Sequence, residues 1–412
     1  MKMRPEQLAR IMAQLKDLPE RSALYRTKFK GLDLSKIDSE EAFETLPFTW
    51  KGDLREVYPL GLMAVPEEQI VRIHSSSGTT GVPVIIPYTR QDIADWALLF
   101  ERCYRTAGVT NLDRVQITPG YGLWTAGIGF QLGAERLGAM TIPMGPGNTE
   151  KQLKMMIDMQ STVLCATASY ALLLAEEIGR QGLKERIHLK KCILGSERCS
   201  ERMRDKIISL LGVELYDIYG MTEIYGPGIG ISCRENCGMH IWDDYLYLEI
   251  IDPKTCELLP EGEWGELVIT TLRKEGAPLI RFRTHDLTRL LPGECKCGLP
   301  YPRIDTIRDR TDDMVKIKGV NIFPSQIDEL LHNTLGASGE YDFLIDHNPN
   351  NGRDIGCIFV ETDSGFDPKE LSSRVQSAFK AKIGVAVNVV GVQHGELMRS
   401  MKKSSRIFDN RY

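Results

Sequence analysis

The 412-residue sequence has no apolar run that approaches the roughly 20 residues of a membrane-spanning helix. It has no block of lysine and arginine either, and its formal net charge is only −5, which disfavours binding to nucleic acid or to an anionic membrane. The N-terminus leads into a charged amphipathic helix pattern rather than the apolar core of a signal peptide. Hydrophobic residues at 42% and charged residues at 26% are ordinary for a globular protein. We therefore expect a cytoplasmic protein of two or three domains that binds neither nucleic acid nor membrane.

The ten cysteines are too scattered for a disulfide scaffold, and most of them fit buried thiols of a reducing compartment. Two tight pairs differ from the others, namely Cys233 with Cys237 and Cys295 with Cys297. His240 lies close to the first pair, and thiolate and imidazole ligands suit a tetrahedral, structural zinc site. The spacing is not the common repeat of two Cys-x-x-Cys motifs. We expect Zn²⁺ to be bound by Cys233, His240, Cys295 and Cys297, with Cys237 as a spare or alternative ligand.

Patterns of strand and helix length alternate along residues 70–219. That alternation is typical of an α/β sheet with helices on both faces. Residues 224–305 are rich in strand patterns, and the remainder of the chain follows a β-α-β-β-α-β order that predicts a small ferredoxin-like α+β unit. Because the charged stretch 308–313 separates the two parts, we expect an N-terminal body over residues 1–311 and a mobile C-terminal lid over residues 312–412.

The loop at residues 75–81 is the most informative segment, since five hydroxyl side chains and two glycines separate two strand patterns there. Backbone N–H groups and hydroxyls in such a loop can bind a polyphosphate. It is not a Walker loop, because no Gly-Lys-Ser/Thr follows and the next element has a strand pattern. Taken alone, a flexible hairpin turn would be the better interpretation.

Two further segments place polar groups after strand patterns. Residues 217–223 (Asp-Ile-Tyr-Gly-Met-Thr-Glu) offer a tyrosine that can stack on a purine and a carboxylate that can hold Mg²⁺ beside phosphates. Residues 281–286 (Arg-Phe-Arg-Thr-His-Asp) end in a carboxylate that suits two vicinal ribose hydroxyls. For Asp286 alone, a capping or ion-paired role would be the better interpretation. Read together with the loop, these segments indicate a nucleotide site.

Together the segments resemble the adenylate-forming superfamily, and specifically the phenylacetate–coenzyme A ligase family. The resemblance covers the whole chain and includes residues 75–81, 219–223, 240–242, 281–286 and 318–324. The Cys/His cluster is similar to the zinc site of some members. The resemblance implies an α/β, adenylate-forming fold, in which a large N-terminal body with a β-rich subdomain precedes a small ferredoxin-like α+β lid.

The resemblance also implies roles for individual residues. Thr79, Glu223 and Lys403 are the predicted catalytic residues, Glu223 as the Mg²⁺ ligand and Lys403 as the lysine that reaches the acyl phosphate. Asp312 is the predicted hinge residue, and Gly319 is expected to line the pantetheine tunnel. The remaining predicted residues of the ATP site are Ser76, Gly78, Thr80, Gly195, Ser196, Glu197, Asp217, Tyr219, Gly220, Thr222, Asp286 and Arg310.

The implied reaction is the ATP-dependent activation of a phenylacetate-like aromatic acid to an acyl-adenylate. Transfer to coenzyme A then gives aryl-acyl-CoA, AMP and pyrophosphate. Mg²⁺ and Lys403 are expected to neutralise charge while the carboxylate attacks the α-phosphate, and lid rotation then admits the thiol. No covalent enzyme nucleophile is needed, which agrees with the lack of an evident Ser-His-Asp arrangement. The expected partners are therefore small molecules, and the sequence is compatible with a homodimer.

Three positions depart from the family pattern. Val82 stands where lysine is usual beside the phosphate loop, so one positive charge is missing. Lys403 follows Lys402 instead of a glycine, which makes either lysine a candidate, although the alignment of the flanking arginines favours Lys403. The aryl-pocket segment 119–124 reads Pro-Gly-Tyr-Gly-Leu-Trp, with proline in place of a tyrosine and tryptophan in place of a phenylalanine.

The substrate pocket is predicted to contain Tyr121, Gly122 and Trp124, which keep it apolar and suited to an aromatic acid. Two other functions remain as alternatives. The chain could load a carrier protein instead of coenzyme A, or it could be a nucleotide-binding homologue that has lost turnover. Acid-dependent pyrophosphate release distinguishes the two catalytic functions from the inactive homologue. Thioester formation with free coenzyme A distinguishes the ligase from the enzyme that loads a carrier protein.

Overall fold

The computed structural model describes residues 2–76, 82–196, 199, 201–307, 309–310, 315–322, 324–397 and 407–411. Most of the predicted site lies within these ranges. The predicted residues outside them are Gly78, Thr79, Thr80, Glu197, Asp312 and Lys403.

Short helices form the first part of the chain: α1 (Pro5–Leu15), α2 (Leu18–Arg21), α3 (Ala23–Lys28), α4 (Glu40–Glu44) and α5 (Lys51–Glu56). Their apolar residues, such as Ile11 and Phe43, are fully buried in the main hydrophobic core. The Ser39 hydroxyl accepts a hydrogen bond from the Ala42 N–H at 3.2 Å and thereby caps α4. These helices close one side of the body.

A hairpin of β1 (Ile70–Ser75) and β2 (Ile85–Thr89) carries the loop 75–81. Helix α6 (Arg90–Thr106) follows without a break. Thr89 and Asp92 cap this helix reciprocally, since each side chain accepts from the backbone N–H of the other at 3.0 Å. The hairpin is therefore anchored at the helix start.

The remaining elements of the body follow in chain order. They are β3 (Arg114–Ile117), α7 (Thr125–Leu137), β4 (Met140–Pro143), α8 (Thr149–Asp158), β5 (Val163–Thr167), α9 (Ala168–Arg180), β6 (Lys191–Gly195), α10 (Glu201–Leu211), β7 (Glu214–Met221), β8 (Gly226–Ser232), β9 (Met239–Ile241), β10 (Leu246–Ile251), β11 (Gly265–Thr271), β12 (Phe282–Thr288), β13 (Leu290–Leu291), β14 (Arg303–Ile304) and β15 (Asp309–Arg310).

Within the described ranges, the central sheet has nine strands in the order β13-β14-β9-β8-β7-β6-β5-β3-β4. The strands from β4 to β7 are parallel and those from β7 to β13 are antiparallel. Side chains alternate between two cores, as in β5, where Val163 and Cys165 face the main core while Leu164 and Ala166 face a second one. The second core is formed with α8, α9 and α10, so helices cover both faces of the parallel part.

A second body sheet, in the order β10-β11-β12-β15, forms the β-rich part. Two buried ion pairs cross it: Arg281 with Glu249 at 2.8 Å and Arg283 with Glu266 at 2.5 Å. Pairing makes these buried charges tolerable, and it fixes the register of β12. Asp286 lies in β12 directly opposite Arg310 of β15.

The C-terminal unit has its own hydrophobic core. It contains the hairpin β16 (Val315–Ile317) and β17 (Val320–Ile322), α11 (Pro324–His332), β18 (Ala337–His347), β19 (Asp354–Thr362), α12 (Pro368–Ile383), β20 (Asn388–Val392) and β21 (Ile407–Asp409). Its four-stranded sheet has the order β20-β19-β18-β21. Asp367 caps α12, Pro368 opens it and Gly384, at a φ of 85°, ends it.

The predicted alternation of strands and helices, the β-rich segment and the α+β C-terminal unit are all present. Along the chain, the C-terminal unit follows the predicted β-α-β-β-α-β order and adds β21 as a further strand. The hairpin β16-β17 forms a sheet of its own, and the three-residue β21 pairs with β18 as the fourth strand. So short a strand gives no periodic signal in the sequence. In the part of the chain that the structure describes, no helix combines the length and apolarity that a bilayer crossing requires.

Candidate active site

A cavity of about 1310 Å³ lies where the carboxyl ends of the parallel strands meet the C-terminal unit. Thr118 follows β3, Thr167 ends β5, Gly195 ends β6 and residues 217–223 end β7. In open α/β sheets, ligands bind at this edge, because the loops that leave parallel strands converge there.

Two glycines in this edge are required by close packing. A Cβ atom on Gly195 would lie 2.7 Å from Ile218 Cγ2, and one on Gly220 would lie 2.1 Å from the Gly226 carbonyl oxygen. Neither position therefore tolerates a side chain, and both are among the predicted residues of the ATP site. Next to Gly195, Ser196 adopts a φ of 69°, which turns the chain sharply at the cavity.

The structure brings together the residues that are predicted to bind the adenine base and the ribose. The Tyr219 hydroxyl donates a hydrogen bond to Asp286 Oδ2 at 2.7 Å, and both side chains line the cavity. Backbone pairing places Arg310 opposite Asp286. An aromatic ring beside a carboxylate is the arrangement that a nucleoside needs, with stacking on the base and hydrogen bonds to the ribose.

Glu223 is buried at the cavity, and its carboxylate forms an ion pair with Lys51 Nζ at 2.9 Å. Lys51 is a site residue that the sequence analysis missed. It lies at the start of α5, far from Glu223 in the chain, and a lone lysine at a helix start has no distinguishing pattern. Nearby, the hydroxyls of Thr125 and Thr222 lie 3.3 Å apart.

The base of the phosphate loop is closed by Ser76. Its N–H donates to the Val84 carbonyl oxygen at 3.0 Å, and its hydroxyl accepts from the Val84 N–H at 3.0 Å. The Ser75 N–H donates to the Leu123 carbonyl oxygen at 3.0 Å, which joins the loop to the predicted pocket segment. Ser76 lines the cavity, so the loop begins at its wall.

The pocket segment contributes unevenly to the cavity. Pro119, Gly120 and Trp124 line it, and Trp124 is about half exposed. Tyr121 and Gly122 are not among the described lining residues. Tyr121 packs against the α7 backbone at Gly127, and burial raises the pKa of its hydroxyl well above the ordinary value. The role of these two residues in the pocket therefore stays a prediction.

The four predicted zinc ligands converge in a cluster beside Cys237, which itself lines the cavity. One ligand atom from each of Cys233, His240, Cys295 and Cys297 lies within 4.8 Å of all the others. His240 Nδ1 is 3.1 Å from the Tyr301 carbonyl oxygen, which leaves Nε2 facing Cys297 Sγ at 3.3 Å. This donor set of three thiols and one oriented imidazole fits Zn²⁺.

Cys237 lies beside the cluster without belonging to it. Its Sγ is 3.3 Å from Cys295 Sγ, and the Arg303 guanidinium donates to the same sulfur at 3.1 Å. Cys237 also lines the large cavity. The geometry thus favours the role of spare thiol over that of fourth ligand.

The C-terminal unit covers the open side of the cavity with Gly319, His347, Gly384 and other residues. One contact between this unit and the body is ionic. Glu176 of α9 binds Arg353, which lies between β18 and β19, and it also binds Lys206 of α10 at 2.7 Å. All three side chains are partly buried, so solvent screens the contact less than an exposed one.

Comparison with known proteins identifies the family. Residues 6–272 match the model of the AMP-binding enzyme family, and residues 319–411 match that of the AMP-binding enzyme C-terminal domain. The chain therefore belongs to the AMP-binding enzymes.

Its relatives narrow the group further. The chain is 41% identical to the phenylacetate–coenzyme A ligase of Pseudomonas putida and 40% identical to that of Escherichia coli K12. The alignments cover 99% and 98% of this chain and 94% of each relative. The resemblance drawn from the motifs is confirmed.

Solved structures confirm the adenylate-forming fold. A crystal structure of 2-hydroxyisobutyryl-CoA ligase with 2-HIB-AMP and CoA, in the thioesterification state, has a TM-score of 0.89 at 29% identity. The match covers 98% of this chain and 89% of that one. Two other structures of the same ligase have lower TM-scores to this chain, 0.72 for the postadenylation state with 2-HIB-AMP and 0.71 for an open conformation. The chain as a whole is therefore more similar to the thioesterification structure than to the other two structures of that ligase.

Proposed function

We propose that the protein is an AMP-forming acid–coenzyme A ligase that converts a phenylacetate-like aromatic acid to its coenzyme A thioester. The observation that carries the proposal is that one cavity joins the Tyr219–Asp286 pair, the buried Glu223 carboxylate and Gly319 of the C-terminal unit. The phenylacetate–coenzyme A ligases among its relatives support the choice of acid. The apolar, half-exposed Trp124 at the cavity suits an aryl group.

The residues of the chain have distinct tasks in this reaction. Tyr219 and Asp286 bind the nucleoside and orient its α-phosphate toward the acid. Glu223 is placed to hold a Mg²⁺ ion that accompanies ATP, and such an ion supplies positive charge to the phosphates when bound. Lys51 brings another positive charge to the same part of the cavity, which offsets the missing lysine at position 82.

Zinc is proposed as a structural metal held by Cys233, His240, Cys295 and Cys297. Four protein ligands leave no open position for a substrate, so no chemistry is assigned to it. Its effect is to join the turn between β8 and β9 to the loop between β13 and β14.

We also propose that residues 312–412 form a lid with two orientations, which turns at Asp312. In the first orientation, Lys403 stabilises the developing charge of adenylation. In the second, Gly319 lies along the path of the pantetheine arm, and the thiol attacks the acyl-adenylate with AMP as the leaving group. Gly319 lines the cavity in the orientation described above, which supports the second assignment.

The two-orientation proposal gives a prediction for the contact between Glu176 and Arg353. We expect Glu176→Gln to slow thioester formation from supplied acyl-adenylate about two- to fivefold, as suits the loss of a partly exposed ion pair. Adenylation is expected to stay within experimental error, because this contact belongs to the thioester-forming orientation. Single-turnover measurements of the two half-reactions check the prediction.

Lys206→Gln is the matched control, since it removes the other partner of Glu176 and leaves the contact with Arg353. We expect it to have no selective effect on the second half-reaction. A charge exchange, Glu176→Arg with Arg353→Glu, should restore part of the rate when it is made together with Lys206→Gln, so that the introduced arginine does not face the Lys206 ammonium group. An equal loss in both half-reactions of Glu176→Gln would contradict the assignment.

The proposed function itself is tested by assaying pyrophosphate release across a panel of carboxylic acids with ATP and Mg²⁺. Release that depends on an aromatic acid, followed by a thioester with free coenzyme A, is the expected result. Pyrophosphate release without a coenzyme A product would favour the loading of a carrier protein. No release with any acid would favour a nucleotide-binding homologue without turnover.

A further inference from the structure

Lys274 is a buried lysine that the proposed reaction does not use. It lies in the connection between β11 and β12, and its side chain is only 2% exposed. Among the described residues, its ammonium group has no hydrogen-bond partner. The ammonium nitrogen lies instead 3.4 Å from the centre of the Tyr88 ring and 4.3 Å from the centre of the Tyr225 ring. These distances are typical of cation–π contacts.

The two rings belong to two segments that each carry predicted site residues. Tyr88 lies in β2, on the hairpin that carries the phosphate loop. Its ring contacts that of His74 in β1 at 5.3 Å, and His74 Nδ1 lies 3.2 Å from the carbonyl oxygen of Leu123 in the pocket segment. Tyr225 follows Glu223 by two residues. The ammonium group of Lys274 therefore joins the phosphate-loop hairpin to the turn that holds Glu223.

The backbone of Lys274 is itself held in place. The N–H groups of Glu275 and Gly276 donate to the Asp92 carboxylate at 2.8 and 2.9 Å, and the Thr89 hydroxyl donates to Glu275 at 2.7 Å. A Cβ atom on Gly276 would lie 2.6 Å from the Pro87 carbonyl oxygen, so the loop also packs closely on β2. Lys274 thus projects from a fixed support.

This arrangement costs stability. Burial lowers the pKa of Lys274 to about 7, against the opposing effect of the Asp92 and Asp95 carboxylates. Because a buried ammonium without a hydrogen bond is unfavourable, an apolar side chain of the same length would serve the core better. Because burying the Lys274 ammonium group lowers the stability of the fold, we infer that its positive charge is required for function.

We propose that Lys274 is a positioning residue for adenylation, whose ammonium group holds the phosphate-loop hairpin and the Glu223 turn in register through the ring faces of Tyr88 and Tyr225. The inference rests on the proposed function and extends it to a residue outside the cavity wall. Lys274 touches neither substrate nor cofactor, so it acts through the two segments that do.

Lys274→Met tests the proposal, because methionine keeps the length and apolar volume of the side chain without the charge. We expect kcat/KM for ATP in adenylation to fall about 10- to 100-fold, as follows from misplacement of a reacting group. Thioester formation from supplied acyl-adenylate should stay within about twofold of the wild type. Thermal unfolding should occur at the same or a higher temperature, which a purely structural role does not predict.

Two variants of Tyr225 provide a matched pair. Tyr225→Phe keeps the ring face and removes a buried hydroxyl that has no partner among the described residues, so adenylation should stay close to wild type. Tyr225→Leu removes the ring face and should reproduce the loss in Lys274→Met. The double variant Lys274→Met with Tyr225→Leu should be no slower than either single variant, because both remove one interaction.

The pH profile gives a further readout. The titratable and charged groups around Lys274 are His74, Tyr88, Asp92, Asp95, Glu223 and Tyr225, together with Arg72. Burial lowers the pKa of His74 to about 4 and raises the pKa values of both tyrosines, so none of these three titrates near neutrality. Because the cation is the form that binds the rings, kcat/KM for ATP should fall as pH rises through about 7 in the wild type.

In Lys274→Met, kcat/KM for ATP should not show this fall as pH rises through about 7. Wild-type-like adenylation in Lys274→Met, or equal losses in both half-reactions, would overturn the inference while leaving the ligase function intact. Absence of acid-dependent pyrophosphate release in the wild type would instead overturn the proposed function.

Discussion

Lys403→Ala is expected to slow acyl-adenylate formation by about 10²- to 10³-fold, the cost of losing one preorganised positive group at a developing charge. Thioester formation from supplied acyl-adenylate should stay within about threefold, because the proposed lid rotation would move this lysine away before the thiol attacks. The placement of Gly319 at the cavity supports this separation of tasks. Pyrophosphate exchange and single-turnover thioester formation measure the two steps independently.

Lys402→Ala is the matched control, since it removes the neighbouring positive charge from the same segment. We expect adenylation in this variant to stay within about threefold of the wild type. If Lys402→Ala loses adenylation activity and Lys403→Ala keeps it, Lys402 and not Lys403 is the catalytic lysine. Equal loss of both half-reactions in Lys403→Ala would contradict the two-orientation lid.

Cys295→Ser is expected to release the zinc and to lower the midpoint of thermal unfolding by about 10 °C, as suits the loss of a structural metal site. The effect on kcat of the folded protein at low temperature should be small, at most about threefold, because the proposed four-ligand site would leave the metal no open position for substrate. Metal analysis of the purified protein, with one zinc expected per chain, and thermal scanning check the prediction.

Cys237→Ser is the control for this substitution, because its sulfur lies 3.3 Å from that of Cys295 and outside the four-ligand group. We expect it to retain one zinc and nearly the wild-type unfolding temperature. Zinc loss in Cys237→Ser with retention in Cys295→Ser would show that Cys237 is the ligand. A wild-type protein that is stable and free of metal would end the zinc proposal.

Much of the body was predictable because its elements are long and periodic. The helix Glu201–Leu211 of the body and the helix Pro368–Ile383 of the C-terminal unit are long segments of this kind, and Asp367 and Gly384 cap the second of them. The C-terminal sheet was less predictable. The three-residue strand Ile407–Asp409 pairs with Ala337–His347 as the fourth strand of this sheet, and so short a segment leaves no periodic mark in the sequence.

The candidate site divides in the same way. Tyr219, Glu223 and Asp286 stand in short motifs whose residue types reveal their chemistry, and the structure brings all three to one cavity. Lys51 and Lys274 were missed, because each is a single lysine that becomes informative only when the fold places distant residues around it. Sequence patterns thus identify residues that act within a motif, and they miss partners that only tertiary structure brings together.

The short strands at one end of the central sheet affect how readily the protein aggregates. β13 and β14 have two residues each, and the proposed zinc site lies where their connecting loop meets the β8–β9 turn. Without the metal, that loop would loosen and leave the edge of β9 open to pairing with other chains. Protein made under zinc shortage should therefore aggregate rather than accumulate as a slow enzyme, and light scattering during expression with a chelator would detect this.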